Sequence, residues 1–242
     1  MTQKLFQDDP TLRVTHAVVL ASTPDGIVLD RTVFYARGGG QPGDVGVLRW
    51  GGGETPIIDT LKGDEEVVLH RPAAGAMLPK PGLTVEAEID WDRRFRLMQM
   101  HTAMHLLCSA IEGAAVTGGA VGVDRSRLDF DLPHPPPKEE IQTRLNALIE
   151  ADHPVSIEWV DEEVLDANPE LVRTMSVQPP RGAGRLRLMR IGSGGSPVDL
   201  QPCGGTHVAR TGQISPITVV KIENKGRQNR RIIIAIQMNE VR

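Results

Sequence analysis

Along the first ninety residues, apolar and polar side chains alternate in short runs punctuated by Gly, Pro and Asp. THAVVLAST, GIVLDRTVF, GDVGVLRW, TPIIDTLKG, EEVVLHRP and LTVEAEID each read as a strand. A period of two sends every second side chain to one face of a pleated sheet. Short strands with frequent turns fit a small antiparallel barrel or sandwich. At Trp91 the period changes. From Asp92 to about Glu112 there is neither Gly nor Pro, and Phe95, Met98, Met104, Leu107 and Ile111 recur at helical spacing. Asp92 is placed to cap this helix and Gly113 to end it. DLPHPPP is a rigid connector, and KEEIQTRLNALIEA is a second amphipathic helix with glutamates at its favourable N-terminal end. SIEWV reads as a strand and DEEVLDANPELV as a short helix. PITVVKIE and RRIIIAIQM are strands joined by the hairpin turn NKGRQN. The expected class is α+β. Residues 1–91 form a small antiparallel β-barrel domain, and residues 92–242 a two-layer domain of antiparallel sheet and helices.

Composition narrows this. Hydrophobic residues make up 40% of the chain but aromatics only 3%, so aliphatic side chains and methionines fill the core. A base-stacking aromatic platform is not expected. No apolar run reaches membrane-spanning length, and MTQKLFQDDP lacks the apolar core of a signal peptide. With only two cysteines, Cys108 and Cys203, a disulfide framework is not expected and a reducing cytoplasm is the natural home.

The net charge of −4 conceals an asymmetry. Residues 1–92 carry 8 basic and 14 acidic side chains, and residues 93–172 carry 7 and 14. From Arg173 to Arg242 the balance reverses to 12 basic against 3 acidic, a net of +9. Such a block points to an anionic partner, nucleic acid first. A solvated basic surface is the plainer alternative.

Candidate chemistry lies in two motifs, HTAMH (101–105) and CGGTH (203–207). On a helix, His101 and His105 project from one face a turn apart, together with Met98, Cys108 and Glu112. Alone, an HxxxH pair more often means two satisfied polar residues at a core edge. HTAMH also lacks the glutamate that serves as base in HExxH proteases. CGGTH adds a thiolate and an imidazole around a glycine pair that permits a tight turn. Together His101, His105, Cys203 and His207 suit a tetrahedral zinc site assembled by tertiary folding. The rival set His101, His105 and Cys108 leaves CGGTH unexplained, and Cys108 reads better as a small hydrophobe. Four protein ligands ordinarily close a zinc site, whereas catalysis needs an open position. Either one ligand, His207 first, yields, or the metal positions substrate without activating water.

The motifs resemble those of the alanyl-tRNA editing proteins: the free-standing AlaX proteins and the equivalent domain of alanyl-tRNA synthetase. HTAMHLL resembles the family's first metal motif and CGGTHV its second, with RTGQI following. RLDFD (127–131) and KGRQNRRI resemble its intervening strand and closing hairpin. FYARGGGQPGDVG (34–46) resembles the glycine-rich stretch of the longer AlaX form, which sits in an N-terminal barrel-like domain and faces the editing site. The resemblance implies a trans-acting, ATP-independent deacylase. Its substrate would be mischarged alanine tRNA, chiefly seryl-tRNA(Ala) and also the glycyl form. One zinc ion would be held by His101, His105, Cys203 and His207, with no membrane involved. Two departures stand where tRNA contact is expected: TGQIS for the frequent TGEIG, and KGRQNRR for KGKGNRR.

On that reading an activated ester asks for modest catalysis, dominated by metal and positioning. Thr102 and Thr206, beside ligands, are candidates to hydrogen-bond substrate or to hold the ligands. Gly38, Gly39 and Gly40 would let backbone approach the substrate, a plain barrel turn being the alternative. Gln41 would pair with the serine hydroxyl and so reject alanine. Arg181, Arg185, Arg187, Arg190, Lys221, Lys225, Arg227, Arg230 and Arg231 would neutralise phosphates near the acceptor end. Two other readings stay open: a zinc hydrolase of small esters or amides, and a non-catalytic RNA-binding protein with a structural zinc.

Overall fold

Alternation in the first ninety residues is resolved by closing the sheet on itself. The computed structural model describes residues 1–64, 66–111, 113–164, 168, 171–172 and 184–237. They fall into two compact units, Met1–Phe95 and Arg96–Arg242. The first contains β1 (Gln3–Lys4), β2 (Val14–Thr23), β3 (Gly26–Leu29), β4 (Arg31–Thr32), β5 (Gly46–Trp50), β6 (Gly53–Lys62), β7 (Val68–Pro72) and β8 (Thr84–Ile89). Six strands form a closed barrel in the order β2-β3-β7-β6-β5-β8, every neighbour antiparallel. Closure leaves these strands no open edge. Ala17 and Val19 of β2 and Val85, Ala87 and Ile89 of β8 share the core with Ile27, Leu29, Leu48, Ile57 and Phe34. Along β8 every second residue points inward, as the sequence pattern predicts, while bulges at Val19/Ala21 of β2 and Ile57/Asp59 of β6 break the alternation.

A buried ion pair and a buried histidine are among the polar groups inside this unit, each with its partners. Arg94 and Asp44 are 0% and 1% exposed and form an ion pair. The guanidinium also donates to the carbonyls of Val33 (2.7 Å) and Pro10 (3.0 Å), and Asp44 accepts the backbone N–H of Tyr35 (2.6 Å). A buried pair satisfied in this way fixes geometry, and losing one partner strands the other charge. His70 is fully buried, with Nδ1 2.9 Å from the Ile27 carbonyl and Nε2 2.7 Å from the Thr32 hydroxyl. A carbonyl can only accept, so the proton is on Nδ1 and Nε2 accepts from Thr32.

The helix expected after Trp91 is α1 (Trp91–Ala110). Its cap is Asp90 rather than Asp92: the Asp90 carboxylate accepts the N–H of Arg93 (3.0 Å). Asp92 lies within the first turn, where its charge still favours the helix N-terminus. From Leu97 to Ala110 every residue except Ser109 is buried. This explains why the helix carries no clean polar stripe.

The second unit adds β9 (Ala115–Ala120), β10 (Arg125–Asp131), α2 (Lys138–Glu150), β11 (Val155–Asp161), β12 (Arg185–Ile191), β13 (Asp199–Pro202), β14 (Ile217–Asn224) and β15 (Asn229–Ile236). One antiparallel sheet runs β14-β15-β10-β9 and another β11-β12-β13. At the outer edge of β14, the Asn146 amide of α2 bonds both N–H and C=O of Ile217 (2.9 and 2.8 Å). Gln142 accepts the N–H of Val219 (2.9 Å). Helix side chains thus cover a sheet edge that would otherwise pair with another chain. The α+β class holds. The short helix expected over DEEVLDANPELV falls partly on residues 165–167 and 169–170, outside those described.

His70 gives the barrel a pH-dependent stability. Burial lowers its pKa from 6.5 to about 4, so between those values the unfolded chain binds the proton that the folded chain refuses. Stability is complete above pH 6.5 and falls as pH drops, by about 3 kcal/mol at pH 4. Urea unfolding of wild type and His70→Gln at pH 7.5 and 4.5 checks this. The variant should lose less stability on acidification, and equal losses would contradict the assignment.

Candidate metal centre

Buried α1 is an unfavourable place for imidazoles unless they converge on something. His101, Thr102 and His105 lie at its centre, Cys203 follows directly after β13, and His207 closes the loop beyond it. Cys203 Sγ is 3.2 Å from His207 Nε2 and 3.7 Å from His101 Nε2. The ligand atoms of His101, His105, Cys203 and His207 all lie within 4.8 Å of one another. The three rings crowd together, with centroids 4.5 to 5.3 Å apart. The sequence-predicted set is therefore brought together. Cys108 is buried on the same helix and does not belong to the group.

The outer nitrogens of two of the rings are also held. His105 Nδ1 is 2.9 Å from the Asp199 carboxylate, which in turn accepts from the Gln201 amide (2.7 Å). With Nδ1 donating to a carboxylate, Nε2 is left as the donor atom for a metal. Thr102 donates its hydroxyl proton to Met98 O (2.9 Å), so its oxygen accepts from His207 Nδ1 (3.2 Å) and from the N–H of Val208 (3.3 Å). This fixes His207 in the tautomer whose Nε2 lone pair faces the thiol. Thr102 is fully buried behind a ligand, which makes it a support for His207. Thr206 is buried as well.

Sequence reasoning missed Asp199 and misread Arg187. Asp199, Gln201 and Cys203 alternate along β13 and its end, so they share a face. That alternation, with an acid in so basic a block, was the available signal. Arg187 was expected to bind phosphate, but it is buried and turned inward. Its guanidinium donates to the carbonyls of Cys203 (2.6 Å) and Gly205 (3.0 Å) and clamps the CGGTH loop. The RTGQI stretch serves the same end. Arg210 pairs with Asp152 (2.7 Å), the Thr211 hydroxyl donates to Leu148 O (2.9 Å), and the Gln213 side chain accepts from the N–H groups of Ala209 (2.8 Å) and Arg210 (3.1 Å). Gln213 therefore has a loop-capping role that explains its place in the motif.

Electrostatics agree with a metal-ligating thiolate. Burial would raise the Cys203 thiol, but His101, His207 and His105 outweigh it and hold the thiol well below its ordinary value. Burial lowers His207 to about 3, keeping it neutral. Burial also opposes charge on His105, yet the Cys203 thiolate and Asp199 raise it to about 10. A dication held among these atoms would take the place of that proton. Three buried imidazoles, two of them oriented from behind, and one half-buried thiolate fit zinc.

Gly38 and Gln41 exchange backbone hydrogen bonds (3.1 and 2.9 Å) across a tight turn in the first unit. Gly39 and Gly40, at φ 54° and 80°, occupy the left-handed conformation that such a turn requires. Gln41 is buried. Arg185, Lys221, Lys225 and Arg227 are exposed, the last two at the β14–β15 turn. Arg190 is paired with Glu158. Arg230 donates to Pro133 O (2.7 Å). Arg231 grips Asp129 with two bonds (2.7 and 2.8 Å) across paired strands. Arg181 lies outside the described residues.

Comparison with known proteins matches this picture. A family described as tRNA synthetases class II (A) matches residues 10–93. Another, the threonyl and alanyl tRNA synthetase second additional domain, matches residues 186–233. The alanyl-tRNA editing protein AlaX-M of Methanosarcina acetivorans is 35% identical over 247 residues, covering 98% of this chain and 99% of that protein. Its counterpart in Methanosarcina mazei is 34% identical, with 98% and 97% covered. The alanine–tRNA ligase of Pyrobaculum arsenaticum is 37% identical over 232 residues, 92% of this chain. The chain spans 25% of that ligase.

Replacing the Asp199 carboxylate by an amide should loosen the set. Asp199→Asn is expected to weaken zinc affinity about 10- to 100-fold, read by competition with a chromophoric chelator. Wild-type affinity in a folded variant would contradict the role given to Asp199.

Proposed function

Because the chain belongs to the alanyl-tRNA editing protein family, we propose that it hydrolyses the ester of mischarged alanine tRNA, with seryl-tRNA(Ala) the chief substrate. The observation that carries this reading is the buried convergence of His101, His105, Cys203 and His207 within 4.8 Å. These four would hold one zinc ion. When bound, zinc supplies Lewis acidity toward an ester carbonyl and toward attacking water.

The chain's own residues orient and exclude. Asp199 and Gln201 lock His105, Thr102 locks His207, and Arg187 fixes the loop that carries Cys203. Asp199 is committed to His105 and is not the general base. His207 is the ligand to yield an open position: a neutral hydroxyl at 3.2 Å supports it, whereas a carboxylate at 2.9 Å supports His105. The Gly38–Gln41 turn is the candidate for selecting the substrate, since an amide can both donate to and accept from a serine hydroxyl that alanine lacks. Exposed Arg227 on the β14–β15 turn, and Lys225 on exchanging its partner Glu223 (3.3 Å), supply charge for phosphates, a contact that weakens steeply with salt.

Incubation of purified protein with seryl-, glycyl- and alanyl-tRNA(Ala), with and without chelator, tests the reading. Seryl-tRNA should be deacylated, alanyl-tRNA spared, and chelator should stop the reaction. His101→Ala and Cys203→Ala should abolish activity in folded protein. Equal, chelator-resistant loss of all three substrates would overturn it, and unfolding on chelation would favour a purely structural metal.

A further inference from the structure

Trp159 is the exposed large hydrophobic of the second unit among the described residues, 39% accessible on β11. A single exposed indole is ordinary by itself; what distinguishes this one is its place on the sheet that leads into Cys203. The register places it. Trp159 is directly opposite Arg187 of β12, and Arg187 O accepts the N–H of Cys203 (3.2 Å) at the end of β13. Trp159, Arg187 and Cys203 thus occupy successive positions across the three strands. Directly opposed residues send their side chains to the same face. At ordinary strand spacing, the indole is rooted about 10 Å from the cysteine ligand.

A cation completes the patch. Arg185 precedes Arg187 by two residues, so it shares that face. It is exposed, and its guanidinium donates to Trp159 O at 3.4 Å. Unlike Arg187, it keeps its charge at the surface. Exposed ring, adjacent guanidinium and nearby metal ligands are the parts that bind a nucleotide whose ribose carries a reactive ester.

We propose that Trp159 and Arg185 form the subsite for the 3′-terminal nucleotide of RNA. The indole stacks on the base, and the guanidinium pairs with the phosphodiester on its 5′ side. This deepens the deacylase reading and rests on it. The low aromatic content is no obstacle, because one terminal base needs one ring. Stacking is indifferent to tRNA identity, so this subsite anchors the chain end and leaves the choice of amino acid to other residues.

The probes are an RNA minihelix ending in CCA and the same RNA lacking its terminal adenosine. Wild-type protein should bind the complete RNA roughly 10- to 100-fold more tightly, with quenching of the indole fluorescence. Trp159→Ala should bind both RNAs equally, Trp159→Phe should restore most of the preference, and Arg185→Ala should weaken both. Zinc content and melting midpoint establish that the variants are folded. Retention of the terminal-adenosine preference by Trp159→Ala would overturn the subsite. Deacylation of seryl-tRNA by wild type is scored separately, so failure of the subsite is distinct from failure of the enzyme reading.

Discussion

The second unit is organised by one constraint: four lone-pair-bearing side chains, from two segments far apart in sequence, must meet within 4.8 Å inside a buried region. Three imidazoles and a thiol in that space are unfavourable as core packing, since each buried polar atom needs a partner. Every nearby device serves the meeting. Asp199 and Thr102 turn two of the rings, and Arg187 braces the carbonyls of the loop. Asp152, Arg210, Thr211 and Gln213 tie the segment beyond it to the end of α2. The polar residues of α1 are then the reason for its burial pattern rather than exceptions to it.

Much of the architecture was legible because its physics is local. Period-two runs bounded by turn residues gave the barrel strands, and the change of period at Trp91 marked α1. The convergent His/Cys group was legible too, since His at i and i+4 and a Cys-Gly-Gly-Thr-His turn are each short-range patterns. What escaped depends on tertiary neighbours. Asp90 and Asp92 are equally good caps on paper, and only the backbone path puts Asp90 against the Arg93 N–H. In RLRLMR every residue from Leu186 to Met189 is buried, so alternation could not tell an arginine clamping a loop from one facing water. Asp199 looked like a stray acid because its partner His105 is distant in sequence.

The basic C-terminal block likewise separates into two populations. Arg187, Arg210 and Arg231 neutralise carbonyls or carboxylates within the fold, and charge counting alone assigns them to a ligand they do not face. Arg185 and Arg227 keep their charge at the surface, while exposed Lys221 and Lys225 share Glu223. An electrostatic footprint read from sequence therefore overstates the number of phosphate contacts. The salt dependence of RNA binding should reflect the smaller population.

The central claim is that these four residues form one metal site in the folded protein. X-ray absorption at the zinc edge tests it most directly. The account predicts one zinc per chain with a single sulfur at about 2.3 Å and nitrogen ligands at about 2.0 Å, the sulfur signal vanishing in Cys203→Ser. A first shell of oxygen and nitrogen without sulfur, in protein that retains its zinc, would contradict it.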